Sequence, residues 1–347
     1  MKRSEFLKIV GGTLVASQLP QVLNAKSIAA NRSTLSTNGM MPSSASAQRG
    51  EVVPNIKLDI RPLTIAAGAE KPFSALHISD SHLTRVFEWE SDRKKRLAAQ
   101  RKRIFPWAEH YFDAHIRYAA ERDMMLLHTG DLIDFVSEAN LEFIKEQIGV
   151  SSLFASAGNH EYSQFVGEAK EDAAYKAQSY DKVQAAYTNN LTLASQIVNG
   201  VNFVAIDDVY YNFTEQQMTQ MEQEVKRGLP IVMMCHVPLY TPRHCEYGLK
   251  QTKGLAAYLT GVPLEITSKY KEYPNLAPDQ KWRNRSVQQR ADKPTLDFIA
   301  WLKAQPQLKA ILCGHCHYFF EERFSPSAMQ YTVAAGYSGS GYAIKFV

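Results

Sequence analysis

Five short polar blocks in the sequence carry the residue types that bind metal ions and transfer protons. They are Asp80-Ser81-His82, Gly130-Asp131-Leu132-Ile133-Asp134, Gly158-Asn159-His160-Glu161, His236 and Gly314-His315-Cys316-His317. Carboxylate and amide oxygens and imidazole nitrogens are typical ligands of divalent metal ions. The blocks together are candidate metal-binding or acid–base groups.

The last block also allows two other interpretations. Cys313 and Cys316 have the C-x-x-C spacing of thiol–disulfide oxidoreductases, and with His317 they match the C-x-x-C-H pattern of haem c attachment. A thioredoxin-type pair should open a helix after an early strand, whereas this pair follows a late one. Haem attachment explains none of the four upstream blocks. We therefore interpret the block as metal-binding and place both cysteines outside the site.

The apolar pattern predicts the elements that position these blocks. Strands are predicted at residues 73–79, 124–128, 152–156, 202–206, 231–234 and 310–313, and helices at residues 97–122, 140–148, 294–304 and from Thr214, which opens a capping box with Gln217. Residues 330–334 and 342–346 are predicted to form a terminal antiparallel pair. The alternation indicates an α/β fold with a buried central sheet. Each block follows a predicted strand, where α/β sheets build their sites.

The order D-x-H, G-D-x-x-D, G-N-H-E, H and G-H-x-H resembles the calcineurin-like metallophosphoesterase superfamily, over residues 73–347. Ser/Thr protein phosphatases carry an Arg where this chain has Phe135. Purple acid phosphatases have a ligand Tyr in the second block, where Ile133 and Asp134 stand here. The sequence most resembles the bacterial phosphodiesterase-like branch, including Leu83 after the first block.

The resemblance implies a layered metallophosphoesterase sandwich. Central mixed β-sheets would be flanked by helices, with the metal site at the carboxyl ends of the strands. It also implies two divalent metal ions, with Mn, Fe or Zn as candidates. By the resemblance, the first metal would be held by Asp80, His82 and His317, the second by Asn159, His236 and His315, and both would share Asp131.

The implied reaction is hydrolysis of phosphate esters, with diesters as the expected substrates in this branch, by attack of a metal-bridging hydroxide. His160 would be the general acid, and Asp134 would hydrogen-bond His160 and fix its tautomer. A phosphomonoesterase, a nucleotide pyrophosphatase and a non-catalytic binding protein on the same fold are the alternatives. The intact His160–Asp134 pair favours an enzyme, because a binding protein has no chemical need for it.

The N-terminus predicts an exported protein. Lys2, Arg3 and Lys8 flank a short apolar run, so residues 1–25 are predicted to be a signal peptide. Residues 26–51 are polar and read as a disordered linker. The folded domain is predicted at residues 52–347, in the periplasm or outside the cell, without a transmembrane anchor.

The resemblance implies a small phosphate ester as partner, and the charge balance gives no indication of nucleic-acid binding. Lys and Arg number 39 against 35 acids, a net charge of +4 that does not indicate a stable nucleic-acid complex. The basic run at residues 93–103 is predicted to be a solvated helix face. Residues 240–290 are rich in tyrosine and are predicted to be a substrate cap. Structural roles are expected for His77, His110, His115, His128 and His244, of which His244 could contact a substrate phosphate.

Overall fold

Two mixed β-sheets form the centre of the fold in the computed structural model, which describes residues 56–151 and 153–347. The predicted signal peptide and linker lie outside the described residues. The first sheet has the order β1 (Asp59–Ile65), β11 (Ser340–Phe346), β2 (Phe73–Ile78), β3 (Met125–Thr129) and β4 (Leu153–Ser156). The second has the order β5 (Leu193–Val198), β6 (Val201–Ile206), β7 (Ile231–Met234), β8 (Leu308–Cys313), β10 (Met329–Thr332) and β9 (Phe320–Arg323).

Side chains alternate across the buried strands. In β6, Val201, Phe203 and Ala205 pack into the core that contains residues of both sheets. Val204 and Ile206, which point the other way, belong to a separate outer cluster with helix residues. Strands that are apolar on both faces are expected when each sheet is covered on both sides. The layered sandwich of mixed sheets and flanking helices is therefore confirmed.

Helices connect the strands, and several of them pack on the outer faces of the sheets. They are α1 (Asp92–Ile104), α2 (Ala108–Glu121), α3 (Glu138–Ser151), α4 (Ala173–Ala177), α5 (Tyr180–Gln184), α6 (Glu215–Lys226), α7 (Pro242–Gln251), α8 (Leu264–Thr267), α9 (Arg285–Gln288) and α10 (Lys293–Lys303). The capping box of Thr214 and Gln217 is present at the start of α6. The single helix predicted at residues 97–122 is wrong, because the chain breaks between α1 and α2 at Pro106, which has no N–H to donate.

The predicted terminal antiparallel pair is also wrong. β10 pairs with β8 and β9 in the second sheet, whereas β11 lies between β1 and β2 in the first. An alternating apolar pattern shows which face of a strand is buried but not which strand is its neighbour. The connection between β10 and β11 crosses from one sheet to the other. On its way Gly336 N–H donates to the Ser79 carbonyl at 2.7 Å, which fixes Tyr337 beside the first polar block.

Within residues 56–151 and 153–347, no helix combines the length and the apolar character needed to cross a membrane.

Candidate metal centre

The strand ends of both sheets bring the polar blocks together. Asp80, Asp131 and Asn159 follow β2, β3 and β4, which run parallel in the first sheet. His236 and His315 follow β7 and β8, which run parallel in the second. The site is thus built at the carboxyl ends of strands from two sheets rather than one.

Asp80, His82 and His317 form the first group of potential metal ligands. Asp80 Oδ1 lies 3.1 Å from His317 Nε2 and 3.9 Å from His82 Nε2. The two Nε2 atoms are 3.4 Å apart. One ligand atom from each residue lies within 4.8 Å of the others, so the three can hold one cation.

Asp131, His236 and His315 form the second group. His236 Nε2 lies 3.3 Å from Asp131 Oδ2 and 3.1 Å from His315 Nδ1. Asp131 Oδ2 is also 3.8 Å from His82 Nε2, so this carboxylate stands between the two groups. Asn159 Oδ1 is buried and has no hydrogen-bond partner among the described residues. An orphaned buried acceptor beside carboxylates and imidazoles fits a metal ligand.

Each imidazole in the two groups has a partner on its other ring nitrogen. The pairs are His82 Nδ1 with Asp134 Oδ1 at 2.9 Å, His236 Nδ1 with the Thr129 carbonyl at 2.7 Å, His315 Nε2 with the Tyr211 hydroxyl at 3.0 Å and His317 Nδ1 with the Tyr337 hydroxyl at 3.3 Å. Such partners fix the orientation of a metal-binding histidine. The nitrogen that faces the group is thereby left for the metal.

The backbone of the ligand candidates is held in an unusual conformation. Left-handed φ angles occur at Asp80 (54°), His82 (49°), Asp131 (55°), His315 (65°) and His317 (57°). Asp80 and His82 are therefore not in an extended strand conformation. Their N–H groups donate to the carbonyl oxygens of Gly130 and Asp131 at 2.9 Å, which fixes the turn. Such strained residues cluster at functional sites.

Two glycines give the ligand loops the room to meet. A Cβ atom on Gly158 would lie 2.2 Å from Asp131 Oδ1. A Cβ atom on Gly314 would lie 1.8 Å from Ser79 Oγ and 2.5 Å from Asp80 Oδ2. Any larger side chain would displace the carboxylates of the site.

Glu161 joins two of the ligand loops, a role that the sequence analysis did not assign. Its buried carboxylate accepts N–H bonds from Asp131 and Leu132 at 2.8 Å, from Ile133 at 3.2 Å and from Gly158 at 2.6 Å. Burial and the nearby Asp131 raise the pKa of Glu161 to about 7, although the N–H bonds oppose that rise. Its place inside the G-N-H-E block was the signal that could have identified it.

His160 and Asp134 lie beside these groups. His160 Nδ1 is 2.7 Å from the Asp134 carbonyl oxygen and 3.2 Å from Asp134 Oδ1, and its backbone N–H donates to Asp131 Oδ1 at 2.8 Å. Burial lowers the pKa of His160, but the carboxylates of Asp131 and Asp134 outweigh it and raise the pKa to about 10. By distance alone, His160 can also group with His82 and Asp131 around a cation.

Asp134 is shared by three cationic or imidazole partners. Besides His82 and His160, Arg101 donates to its carboxylate through Nε and, at 2.8 Å, through Nη2. Burial raises the pKa of Asp134, but hydrogen bonds from His160, His82 and Arg101 hold it well below its usual range. Arg101 belongs to the basic run that the sequence predicted to be a solvated face, and for this residue the prediction is wrong.

The comparison with protein families identifies the fold to which this site belongs. The family model for calcineurin-like phosphoesterases matches residues 73–319. The chain belongs to this family. It is a metallophosphoesterase, an enzyme that hydrolyses phosphoric esters. The family depends on two metal ions, and the His and Asp groups of this phosphoesterase can hold them.

Several solved structures resemble this phosphoesterase. A dimetal phosphatase from Danio rerio is 11% identical, with 78% of this chain and 91% of that chain covered and a TM-score of 0.41. A 5'-nucleotidase from Candida albicans is 12% identical, with 81% and 47% covered and a TM-score of 0.36. A phosphopantetheinyl hydrolase from Mycobacterium tuberculosis is 10% identical, with 76% and 90% covered and a TM-score of 0.35. No curated protein matches the sequence.

A cavity of about 530 Å³ opens beside the two groups of potential metal ligands in the phosphoesterase. The residues of the site that line the cavity are Asp131, Asn159, His160, His315 and His317. The segment 240–290 contributes Gly248, Gln251, Thr252, Ala257, Tyr258 and Arg285 to the lining. The segment 240–290 thus forms part of the cavity wall, together with the candidate metal centre, residues 166–171 and Tyr211.

The remaining histidines and the cysteines make structural contacts. His77 Nε2 bonds Thr129 Oγ1 at 2.9 Å, and His128 Nε2 bonds Ser81 Oγ at 3.0 Å. His115 is buried and His110 is exposed. His244 is stacked on Phe320 and is not part of the cavity lining. All four cysteines are free thiols. Cys316 lines the cavity between His315 and His317, so the prediction that both cysteines of the last block lie outside the site is wrong for Cys316.

Proposed function

We propose that this phosphoesterase hydrolyses phosphodiesters, with His160 as the general acid. The observation that carries the proposal is the position of Asp131. Its Oδ2 lies between two groups of imidazole and carboxylate ligands, and its Oδ1 accepts the backbone N–H of His160. A shared carboxylate therefore fixes the proposed acid relative to both metal positions.

Two divalent ions, when bound, polarise the phosphoryl oxygens and lower the pKa of water to the neutral range. The residues that would hold the first ion are Asp80, His82 and His317, those that would hold the second are Asn159, His236 and His315, and Asp131 would contact both. This assignment of ligands to the two ions follows the two spatial groups of potential metal ligands described above. The oxygen and nitrogen donors suit Mn, Fe or Zn.

His160 is oriented to donate a proton from Nε2. Its Nδ1 is occupied by the Asp134 carbonyl oxygen at 2.7 Å, so Nε2 is the nitrogen left for the cavity. The raised pKa keeps the ring protonated at neutral pH. Cations bound at Asp131 would lower this pKa from about 10 towards neutrality, where a general acid works best. Asp134 would hold the ring in place.

The cavity supports a diester substrate. Its volume of about 530 Å³ lies in the range of pockets for drug-sized ligands, about 300–1,000 Å³. A phosphate monoester with a small alcohol would fill only the end beside the metals. The wall formed by residues 240–290 would cover the second ester group, in the manner of a substrate cap.

The test compares hydrolysis of bis(p-nitrophenyl) phosphate with that of p-nitrophenyl phosphate. The protein is first freed of metal by a chelator and then supplied with Mn, Fe or Zn. We expect metal-dependent hydrolysis with a higher kcat/KM for the diester. A preference for the monoester would favour a phosphomonoesterase. Absence of hydrolysis with every metal would favour the non-catalytic binding protein.

We further infer that the enzyme is exported and acts on small phosphate esters rather than on nucleic acid. The basic and apolar pattern of residues 1–25 and the net charge of +4 support this. N-terminal sequencing of protein recovered from the producing cell should show a start after residue 25. A chain that retains Met1 in the cytoplasm would contradict export.

A further inference from the structure

Arg285 is a half-buried cation in the wall of the cavity. It lies at the first position of α9, within the segment 240–290, and lines the same cavity as Asp131, His160 and His315. Its Nη1 donates to Gln288 Oε1. Its Nε is buried and has no hydrogen-bond partner, and Arg285 makes no ion pair with any carboxylate in the described parts of the chain.

This arrangement is costly without a ligand. A guanidinium remains charged at every physiological pH, and a buried charge is normally paired with an anion. The Tyr258 ring lies 5.4 Å from the guanidinium carbon, and the Tyr273 side chain hydrogen-bonds the guanidinium. These neutral groups supply only part of that stabilisation. Glu171 is the other acidic side chain besides Asp131 in the cavity wall; it interacts electrostatically with Arg285 but forms no ion pair with it, and burial raises its pKa. A negative group from outside the chain would satisfy Arg285 better than either.

We propose that Arg285 binds a second acidic group of the substrate, a carboxylate or a phosphate, while the scissile phosphoryl group lies at the metal centre. This inference rests on the proposed function and specifies its substrate class. The planar guanidinium presents paired N–H donors that match either oxyanion. The substrate would then be a phosphoric ester whose second substituent is itself negatively charged.

Binding of non-hydrolysable phosphonates separates this subsite from catalysis. ω-Carboxyalkyl phosphonates and alkylene bisphosphonates of increasing chain length are compared with neutral alkyl phosphonates on the metal-loaded protein, by calorimetry. We expect the acidic ligands of one chain length to bind more tightly than the neutral ones. The preferred end group distinguishes a carboxylate subsite from a phosphate subsite.

The variants are Arg285→Gln and Arg285→Lys, with Arg290→Gln as the matched control, because Arg290 is an exposed arginine of the same segment. Arg285→Gln should weaken the acidic ligands about 10- to 100-fold and leave the neutral phosphonates within about twofold. Arg285→Lys should keep part of the preference. Since Arg285 forms no ion pair in the described parts of the chain, Arg285→Gln should change the melting temperature little.

The outcomes also distinguish the two proposals. If wild type shows no preference for acidic phosphonates, or if Arg285→Gln weakens neutral and acidic ligands equally, the subsite does not exist. If the preference depends on Arg285 but the diester is not hydrolysed, the subsite stands and the proposed function fails.

Discussion

The Nδ1 of His160 lies closer to the carbonyl oxygen of Asp134, at 2.7 Å, than to its carboxylate, at 3.2 Å. The carboxylate is 2.9 Å from His82 Nδ1 and also accepts from Arg101. Asp134 therefore positions the proposed acid His160 mainly through its backbone carbonyl. Its side chain positions the proposed metal ligand His82. Loss of that side chain should affect metal binding as well as proton transfer.

Asp134→Asn tests this double role. The amide keeps the backbone contact with His160 but weakens the hold on His82. We expect a metal affinity about 10–100-fold lower, as found when the outer partner of a ligating histidine is changed. The measurement is metal titration against a competing chelator, with Asp92→Asn as the control on an exposed carboxylate. Unchanged metal affinity would show that Asp134 acts on His160 alone.

Asp131→Ala should remove the carboxylate that lies between both ligand groups. We expect the variant to bind neither metal firmly and to lose nearly all activity, since each group would keep only its imidazoles and one other donor. Elemental analysis of the purified variant measures the metal content. Wild-type protein that reaches full activity with a single firmly bound metal would contradict the two-metal account.

Glu161→Gln should destabilise the protein, although Glu161 is not itself one of the proposed metal ligands. A glutamine amide would turn its NH₂ group towards N–H donors that now bond a carboxylate. Loss of charge-assisted bonds of this kind costs about 1.5–3 kcal/mol. Urea unfolding of the metal-free protein measures the loss, with Glu146→Gln as the exposed control. Equal stability of both variants would show that the carboxylate does not hold the loops together.

The raised pKa of His160 predicts a pH dependence of stability in the metal-free protein. Its pKa is about 10 in the folded state and about 6.5 when unfolded, so the folded state binds more protons between these values. The stabilisation from His160 is complete below the unfolded pKa and is lost as the pH rises through the folded pKa. The difference in unfolding free energy between wild type and His160→Ala should therefore shrink from about pH 6 to about pH 10. A constant or growing difference would contradict the raised pKa.

The sequence predicted most of the elements that carry the site. It predicted β2, β3, β4, β7 and β8, each of which precedes a polar block. These strands could be predicted because apolar runs reveal strands that are buried on both faces. β1 was missed, since most of its residues are partly or fully exposed. The placement of β11 in the first sheet could not be predicted either, because it depends on packing between distant segments.

The partners that orient the ligands were the least visible in the sequence. Tyr211 and Tyr337 bond the outer nitrogens of His315 and His317 from loops outside the polar blocks. Arg101 reaches Asp134 from a helix on which the adjacent Lys102 and Arg103 are exposed. Their roles arise from three-dimensional proximity, for which residue type and spacing give no signal.

The most direct test of the account is the leaving-group dependence of His160→Ala. A p-nitrophenolate scarcely needs a proton to depart, whereas an alkoxide does, and general acid catalysis contributes about 10²–10⁴-fold. At matched metal content, kcat/KM should fall by about that factor for an alkyl diester and clearly less for a p-nitrophenyl diester. An equal fall for both esters, or loss of a metal ion from the variant, would contradict the role of His160 as general acid.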